Sequence, residues 1–316
     1  MKLFKSFKFS YIITLILIII TLSVVLSNYQ EFIFSIALGV CSSIITAFFL
    51  HSILAIKNNP ATLKISLIGE PSSGKTTYLS VLYNKLNSFE DEQIKFKLYD
   101  NKNVLLIKSY YNNLISGKWP FPTDPDNPIS FKVNLESRKK LLSKQYHLEI
   151  MDFSGENLQS LNPGSSKWLL NQNYYEYVFS SNVLFFVYDL KRLLTDDKND
   201  MINQQTFLIS VLQIIIDKKG ISIDNKLSIP VALLFLKSDL IGLDKLISEK
   251  ILSSTESLIS IFSRRCKHFK TFFVSSIGHM DMENGKIVER IKPKNIFDPL
   301  LWALNILKVV SNQKIN

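Results

Sequence analysis

Cysteine is nearly missing from this chain: two in 316 residues, too few for a disulfide framework or a thiolate metal cage, with Cys41 in an apolar run and Cys266 far downstream. Glycine and proline are scarce too, ten of each. There is no internal repeat and no low-complexity tail, only a general richness in Asn, Lys, Ile and Ser. Acidic residues are outnumbered 27 to 37, giving a formal net charge of +10. That surplus does not imply nucleic acid as a partner, because no nucleic-acid module is recognisable in the chain. Four lysines against Glu31 leave +3 in the first 58 residues and +7 in the remainder. Attraction to anionic lipid accounts for a modestly basic domain equally well. The clusters Arg138-Lys139-Lys140 and Arg264-Arg265-Cys266-Lys267 read most simply as solvated faces, with membrane contact as the second choice.

Charge is absent from two long stretches. Phe9 to Leu26 and Phe32 to Ala55 are apolar runs, each long enough to cross a bilayer as a helix. The polar turn Ser27-Asn28-Tyr29-Gln30-Glu31 between them predicts an antiparallel hairpin. Lys2, Lys5 and Lys8 before the first run and Lys57 and Lys64 after the second place both flanks on the cytoplasmic side by the positive-inside rule. The expected layout is a transmembrane hairpin over residues 1–58 (helices at about 9–26 and 32–55) and one globular domain over 59–316. Both termini and the domain would then face the cytoplasm from a two-pass position in the inner membrane. A cleaved secretory signal is the competing reading of the first 27 residues. It lacks a convincing small-x-small cleavage site, and a second apolar run follows it. His51, near the end of the second run, reads as an interfacial side chain.

Two of the few glycines stand five residues apart in a telling place. An apolar strand containing Leu63, Ile65, Leu67 and Ile68 runs into Gly69-x4-Gly74-Lys75-Thr76, and Leu79, Val81, Leu82 and Leu86 continue at near-helical spacing. Strand, glycine-bracketed loop and helix form the context in which this motif holds phosphate. Gly69 and Gly74 permit backbone angles that aim several N–H groups at one point, and the helix adds its positive end. Lys75 reaches the β- and γ-phosphates, Thr76 offers a hydroxyl to Mg²⁺, and Pro71, Ser72, Ser73 and Thr77 complete the set around a nucleoside triphosphate.

Further along, Gln93–Tyr99 alternates like a half-exposed strand, and a helical stretch follows to about Ser116. Gly117 to Asn127 holds three prolines and is expected to be a loop or switch. Ile129–Leu135 and Tyr146–Met151 read as an antiparallel pair of strands ending at Asp152. Three β-rich runs, Asn182–Tyr188, Ile229–Leu236 and Thr271–Val274, alternate with helical patterns around 165–177, 201–216 and 243–262, and Pro299–Val310 closes the chain as a helix. This alternation predicts an α/β fold: a doubly wound, mainly parallel sheet with helices on both faces.

In such sheets ligands meet the carboxyl ends of the strands. Asp152-Phe153-Ser154-Gly155-Glu156 stands at one such end, where Asp152 supplies a carboxylate for the Mg²⁺ shell and Gly155 an N–H for the γ-phosphate. Lys237-Ser238-Asp239 and Ser275-Ser276-Ile277-Gly278 follow two later strands. With these motifs the chain resembles the translation-factor-like class of P-loop GTPases over roughly residues 62–312. The resemblance implies that Asp239 pairs with the guanine N1 and N2 hydrogens, Lys237 packs along the base, and the backbone of Ser275 and Ser276 meets the guanine carbonyl. Leu236 stands where that class has Asn or Thr, and Ile277 where it has Lys. It further implies a switch threonine closing on Mg²⁺ and the γ-phosphate, for which Thr123 in Trp119-Pro120-Phe121-Pro122-Thr123 is the choice; Trp119 could equally cap the core. Together with Pro-Ser-Ser-Gly-Lys-Thr-Thr and Asp-Phe-Ser-Gly-Glu, this loop is similar to a bacterial subset of double-GTPase-like proteins. Ras-like members carry Gln after Asp-x-x-Gly, whereas this chain has Glu156, which could orient water but faces like-charge repulsion from phosphate, so slow hydrolysis is expected. No arginine finger is assigned: Arg192 reads as part of a surface ion pair.

The leading expectation is a membrane-anchored GTP-binding protein that cycles between GTP and GDP with Mg²⁺. In it Lys75, Glu156 and Thr123 serve turnover, and Thr76, Asp152 and Thr123 serve the metal. Its switch segments, around 117–127 and 152–162, would act on a protein effector, with no nucleic acid involved and the oligomeric state undefined. A membrane-associated P-loop ATPase and a nucleotide-binding scaffold without useful turnover are the alternatives. Lys237-Ser238-Asp239 favours the first, and Glu156 keeps the scaffold in play.

Overall fold

A computed structural model describes residues 18, 38–49, 60–89, 91–98, 102–120, 129–139, 142–152, 172–193, 198–220, 224–240, 245–278, 291–307 and 309. The chain divides into two units, Met1–Asn59 and Pro60–Asn316. In the first, residues 38–49 are helical. The expected spans 9–26 and 32–55 fall largely outside the described residues, and among the described residues no helix is long and apolar enough to cross a membrane.

The second unit is built on a seven-stranded sheet. Its strands are β1 (Ala61–Ile68), β2 (Ile94–Leu98), β3 (Ile129–Lys139), β4 (Leu142–Asp152), β5 (Val183–Asp189), β6 (Leu227–Leu236) and β7 (Cys266–Val274), in the spatial order β2-β3-β4-β1-β5-β6-β7. The helices are α1 (Lys75–Leu86), α2 (Lys102–Ile115), α3 (Gln172–Ser180), α4 (Lys198–Lys219), α5 (Lys245–Arg265) and α6 (Asp298–Ile306). β4, β1, β5, β6 and β7 run parallel, and β2 and β3 add an antiparallel flank. The fold is therefore α/β and mainly parallel.

Two apolar layers sandwich the sheet, and the strand sequences explain how. In β5 the side chains of Val183, Phe185 and Val187 enter one core with α1, α2 and α6, while Leu184, Phe186 and Tyr188 enter the other with α3, α4 and α5. β6 repeats the division, with Ala232, Leu234 and Leu236 on the first side and Val231, Leu233 and Phe235 on the second. A strand buried on both faces needs an unbroken apolar run, which both sequences have. Full burial of each such Leu or Phe is worth about 1.5–3 kcal/mol, so these two strands anchor the domain. The helices follow the same logic: in α4, Leu208, Val211, Leu212, Ile215 and Ile216 are buried at helical spacing against the second core.

Three strands run further than the sequence reading. β7 starts at Cys266, five residues before the expected Thr271, because an edge strand tolerates the polar Lys267, His268 and Lys270 that conceal it from an apolar-run criterion. β3 and β4 continue past the apolar positions and pair from Ile129↔Asp152 out to Lys139↔Leu142.

What this topology does for function is set by register. Leu67 of β1 is level with Asp152 of β4, Asp189 of β5 with Leu236 of β6, and Leu236 with Val274 of β7. The carboxyl ends of five parallel strands thus open on one edge of the sheet. β1 lies between β4 and β5, where the chain changes winding direction, and the loop after it sits at the crevice where such sheets take ligands.

Candidate functional site

The turn from β1 into α1 is shaped by two different glycine requirements. Gly74 has φ of 93° and is the residue preceding the first turn of α1, a left-handed position that glycine adopts without strain. Ser72 shares the left-handed region with φ of 61°. Gly69 does not, and its reason is space. A Cβ there would lie 2.9 Å from Val187 Cβ, 3.0 Å from the Val187 carbonyl oxygen and 3.1 Å from Ser73 Oγ. The expectation that both glycines serve backbone angle is corrected accordingly: Gly74 serves angle, Gly69 close approach to β5.

α1 has no side-chain cap and no acidic residue in its first turn. Its positive end is therefore left to an anion. Lys75, 5% exposed, donates from Nζ to the carbonyls of Gly69 (2.9 Å) and Glu70 (2.8 Å). Burial pulls the ammonium pKa below its ordinary value, while the Asp152 and Glu70 carboxylates pull it up. A buried cation parked on loop carbonyls is one that phosphate oxygens would stabilise. Thr76 Oγ1 donates to Asp152 Oδ2 at 2.7 Å, joining the start of α1 to the end of β4. Ser73 Oγ, fully buried in the same loop, has no hydrogen-bond partner among the described residues.

These residues fit a Mg²⁺-nucleotide. Magnesium takes few protein ligands and keeps phosphates and waters; the Thr76 hydroxyl and the buried Asp152 carboxylate meet at one point, and among the described residues no group of three His, Cys, Asp or Glu forms an all-protein metal cage. Thr77 is the third residue of α1, and Pro71 is the third residue of the loop that starts at Gly69.

On the far side of the crevice Lys237 also has a left-handed backbone, φ of 61°, and donates from Nζ to Asp189 Oδ2 and to the Ser72 carbonyl (2.9 Å). Its stem passes close to Gly74: a Cβ added there would stand 3.6 Å from both Lys237 Cε and Leu236 Cδ1. Its head group thus fastens the phosphate loop, a contact made by Nζ that leaves the stem, to which the resemblance gives the base packing, uncommitted. Asp239 lies in a short 3₁₀ turn, Ser238–Leu240, half-buried beside it. Ser275 is fully buried; it donates its N–H to the Lys294 carbonyl (3.1 Å), accepts from the Lys294 N–H (2.9 Å), and its Oγ accepts from the Gly278 N–H (2.8 Å). Of the Ser275-Ser276 pair, the Ser275 N–H is thereby committed within the protein. Gly278, φ of 101°, has no room for a Cβ, which would come within 2.1 Å of the Lys292 carbonyl oxygen. Thr123, Gly155 and Glu156 lie outside the described residues.

Two residues at this edge escape the sequence reading, and a third, read as part of an ion pair, is more enclosed than expected. Asp189 stands at the carboxyl end of β5, where the strand-end rule could have found it. Glu70 occupies a variable position inside the loop motif. Arg192, expected on the surface, donates to the Glu70 carboxylate and to Asp200 Oδ1 (2.8 Å) and is only 21% exposed, because the 3₁₀ turn Leu190–Leu193 after β5 folds it against the loop.

A search of the curated proteins finds no match. Among solved structures, the GTPase-like domain of Saccharomyces cerevisiae Ski7, bound to GDP and inorganic phosphate, is similar at TM-score 0.43 and 18% identity, over 84% of this chain and 53% of that one. This chain therefore spans about half of that relative's length. The Arl6 small GTPase of Trypanosoma brucei, with the bound analogue GppNp, is similar at TM-score 0.39 and 12% identity, over 78% of this chain and 98% of that one. Residues 66–211, a little under half of the chain and the stretch that carries the phosphate loop, match the family model described as Double-GTPase 1, which supports a P-loop GTPase.

Proposed function

We propose that this chain is a GTP-binding switch with slow intrinsic hydrolysis, held at the cytoplasmic membrane by its first 58 residues. The observation that carries the nucleotide reading is the pairing of a buried Lys75 with the Thr76–Asp152 hydrogen bond at the foot of an uncapped helix. Lys75 would exchange its two loop carbonyls for phosphate oxygens, and Thr76, oriented by Asp152, would turn its hydroxyl to the metal. When bound, Mg²⁺ neutralises charge on the β- and γ-phosphates. The loop N–H groups of Glu70 and of residues 72–76, Pro71 having none to give, bind the remaining oxygens at the start of α1. Asp239 selects guanine by accepting from two donors that adenine does not present together, and Ser276 offers an N–H to the guanine carbonyl. The Double-GTPase 1 match over residues 66–211 supports a guanine nucleotide, while Leu236, where the resembled class carries Asn or Thr, lies beyond that stretch.

Gly155 and Thr123 are proposed to sense the γ-phosphate, with Glu156 orienting water inefficiently because its charge resembles that of the substrate. The segments 117–127 and 152–162 would then change order with the nucleotide and be read by a protein effector. Membrane attachment rests on the two uncharged runs at 9–26 and 32–55.

The direct test is binding and turnover of GTP by the full-length protein with Mg²⁺, beside Lys75→Ala. The expected result is saturable, Mg²⁺-dependent binding and slow phosphate release in the wild type, and loss of both in the variant. Hydrolysis that survives removal of Lys75 would place the chemistry elsewhere.

A further inference from the structure

The phosphate loop carries a negative charge of its own. Glu70, directly after Gly69, has a side chain only 10% exposed, and its carboxylate lies beside the positions whose N–H groups are to receive a polyphosphate. An uncompensated carboxylate there would repel the ligand, and in a poorly solvated place it would do so strongly. Compensation comes from outside the loop. Arg192 Nη1 donates to Glu70 Oε2 and to Asp200 Oδ1 (2.8 Å), and its Nη2 lies 3.5 Å from the Pro71 carbonyl oxygen. One guanidinium thus spans two successive residues of the loop and ties them to the first turn of α4, where Asp200 sits. Burial drives the Glu70 carboxyl toward the protonated form, and Arg192 opposes that shift.

We propose that Arg192 is a positioning residue of the phosphate site, whose guanidinium cancels the charge of Glu70 and fixes residues 70 and 71 in the arrangement that admits a nucleoside triphosphate. The proposal rests on the nucleotide reading above. It makes Glu70 the reason that Arg192 is needed: take the arginine away and, at a pH above the raised pKa of Glu70, a buried carboxylate faces the ligand; take both charges away and the obstacle disappears. An arginine that merely packs, or that only strengthens the fold, has no such dependence on Glu70.

The test is a double-mutant comparison on the full-length protein, with GTP binding in Mg²⁺ measured by calorimetry at a temperature where circular dichroism shows every variant folded. Arg192→Ala should weaken GTP binding by at least about ten-fold, as expected when one member of a buried charge pair is removed. Adding Glu70→Gln to it should bring affinity back to within about three-fold of wild type. Glu70→Gln alone should bind GTP at least as tightly as wild type. A folded Arg192→Ala that binds like wild type, or a double variant that stays as weak as the single one, overturns the proposal while leaving the nucleotide reading in place. If the wild type binds neither GTP nor ATP, that reading fails, and the role of Arg192 falls with it. Should Arg192→Ala not fold, Arg192→Gln with and without Glu70→Gln makes the same comparison.

Discussion

Alanine at position 69 puts a methyl carbon where there is no room for one, and the structure says which side must yield. Two of the three nearest atoms, Val187 Cβ at 2.9 Å and the Val187 carbonyl oxygen at 3.0 Å, belong to β5, a strand hydrogen-bonded on both sides by β1 and β6. The third, Ser73 Oγ at 3.1 Å, belongs to the loop itself. The strand cannot retreat without breaking its ladders, so the loop moves. Overpacking of this kind costs about 1–3 kcal/mol, or a fall in Tm of about 2–12 °C for a domain of this size. Misdirecting even one loop N–H bond to a phosphate oxygen would cost a further 1.5–3 kcal/mol, roughly a ten- to hundred-fold loss of GTP affinity. Gly220→Ala is the control. Gly220 has φ of 76° and open space around it, so alanine there meets only the left-handed penalty of about 1–2 kcal/mol and leaves the site alone. Thermal melts and GTP titrations of both variants separate the two effects. The reasoning is refuted if Gly69→Ala melts and binds like wild type, or if Gly220→Ala loses GTP affinity as Gly69→Ala does.

Asp152→Asn keeps an acceptor for Thr76 Oγ1 but removes the charge, so the Mg²⁺ concentration needed for half-maximal GTP binding should rise about ten-fold or more, read from a metal titration; an unchanged titration would remove Asp152 from the metal site. Phe186 is fully buried and meets Phe262 edge to face with centroids 4.9 Å apart, so Phe186→Ala should cost about 3–5 kcal/mol in a urea melt, and a loss under about 1 kcal/mol would contradict the second core as described. Burial pushes the Cys266 thiol up to about 12, leaving it protonated at pH 8. In a Cys41→Ser background it should resist a thiol reagent until denaturant is added, and rapid labelling of the native protein would show that β7 begins elsewhere.

How far the sequence carries depends on the range of the interaction. β5 and β6 are legible because burial on both faces forces uninterrupted runs such as Val183–Tyr188, and the Gly74-Lys75-Thr76 start of α1 because its chemistry is local. Long-range contacts are not legible. Nothing near Gly69 in the chain announces that Val187, in another strand, is what forbids a side chain there. Arg192 reads as part of a surface ion pair, but its partner Glu70, 122 positions away, is not legible. The motif points Lys237 at a base and says nothing of its head group, whose contacts with Asp189 and the Ser72 carbonyl depend on how β5 and β6 are placed beside the loop. β7 begins earlier than its apolar run because edge position relaxes the pattern that a buried strand obeys. The readings of Thr123, Gly155 and Glu156 fall outside the described residues and stand as proposals.

The central claim, a Mg²⁺-dependent guanine-nucleotide site on this sheet edge, is tested most directly by titrating the full-length protein with GTP, GDP and ATP in Mg²⁺, alongside Asp239→Ala. Tighter binding of GTP than ATP, with the preference lost in Asp239→Ala, is the predicted result. Tighter binding of ATP than GTP by the unaltered protein would contradict it.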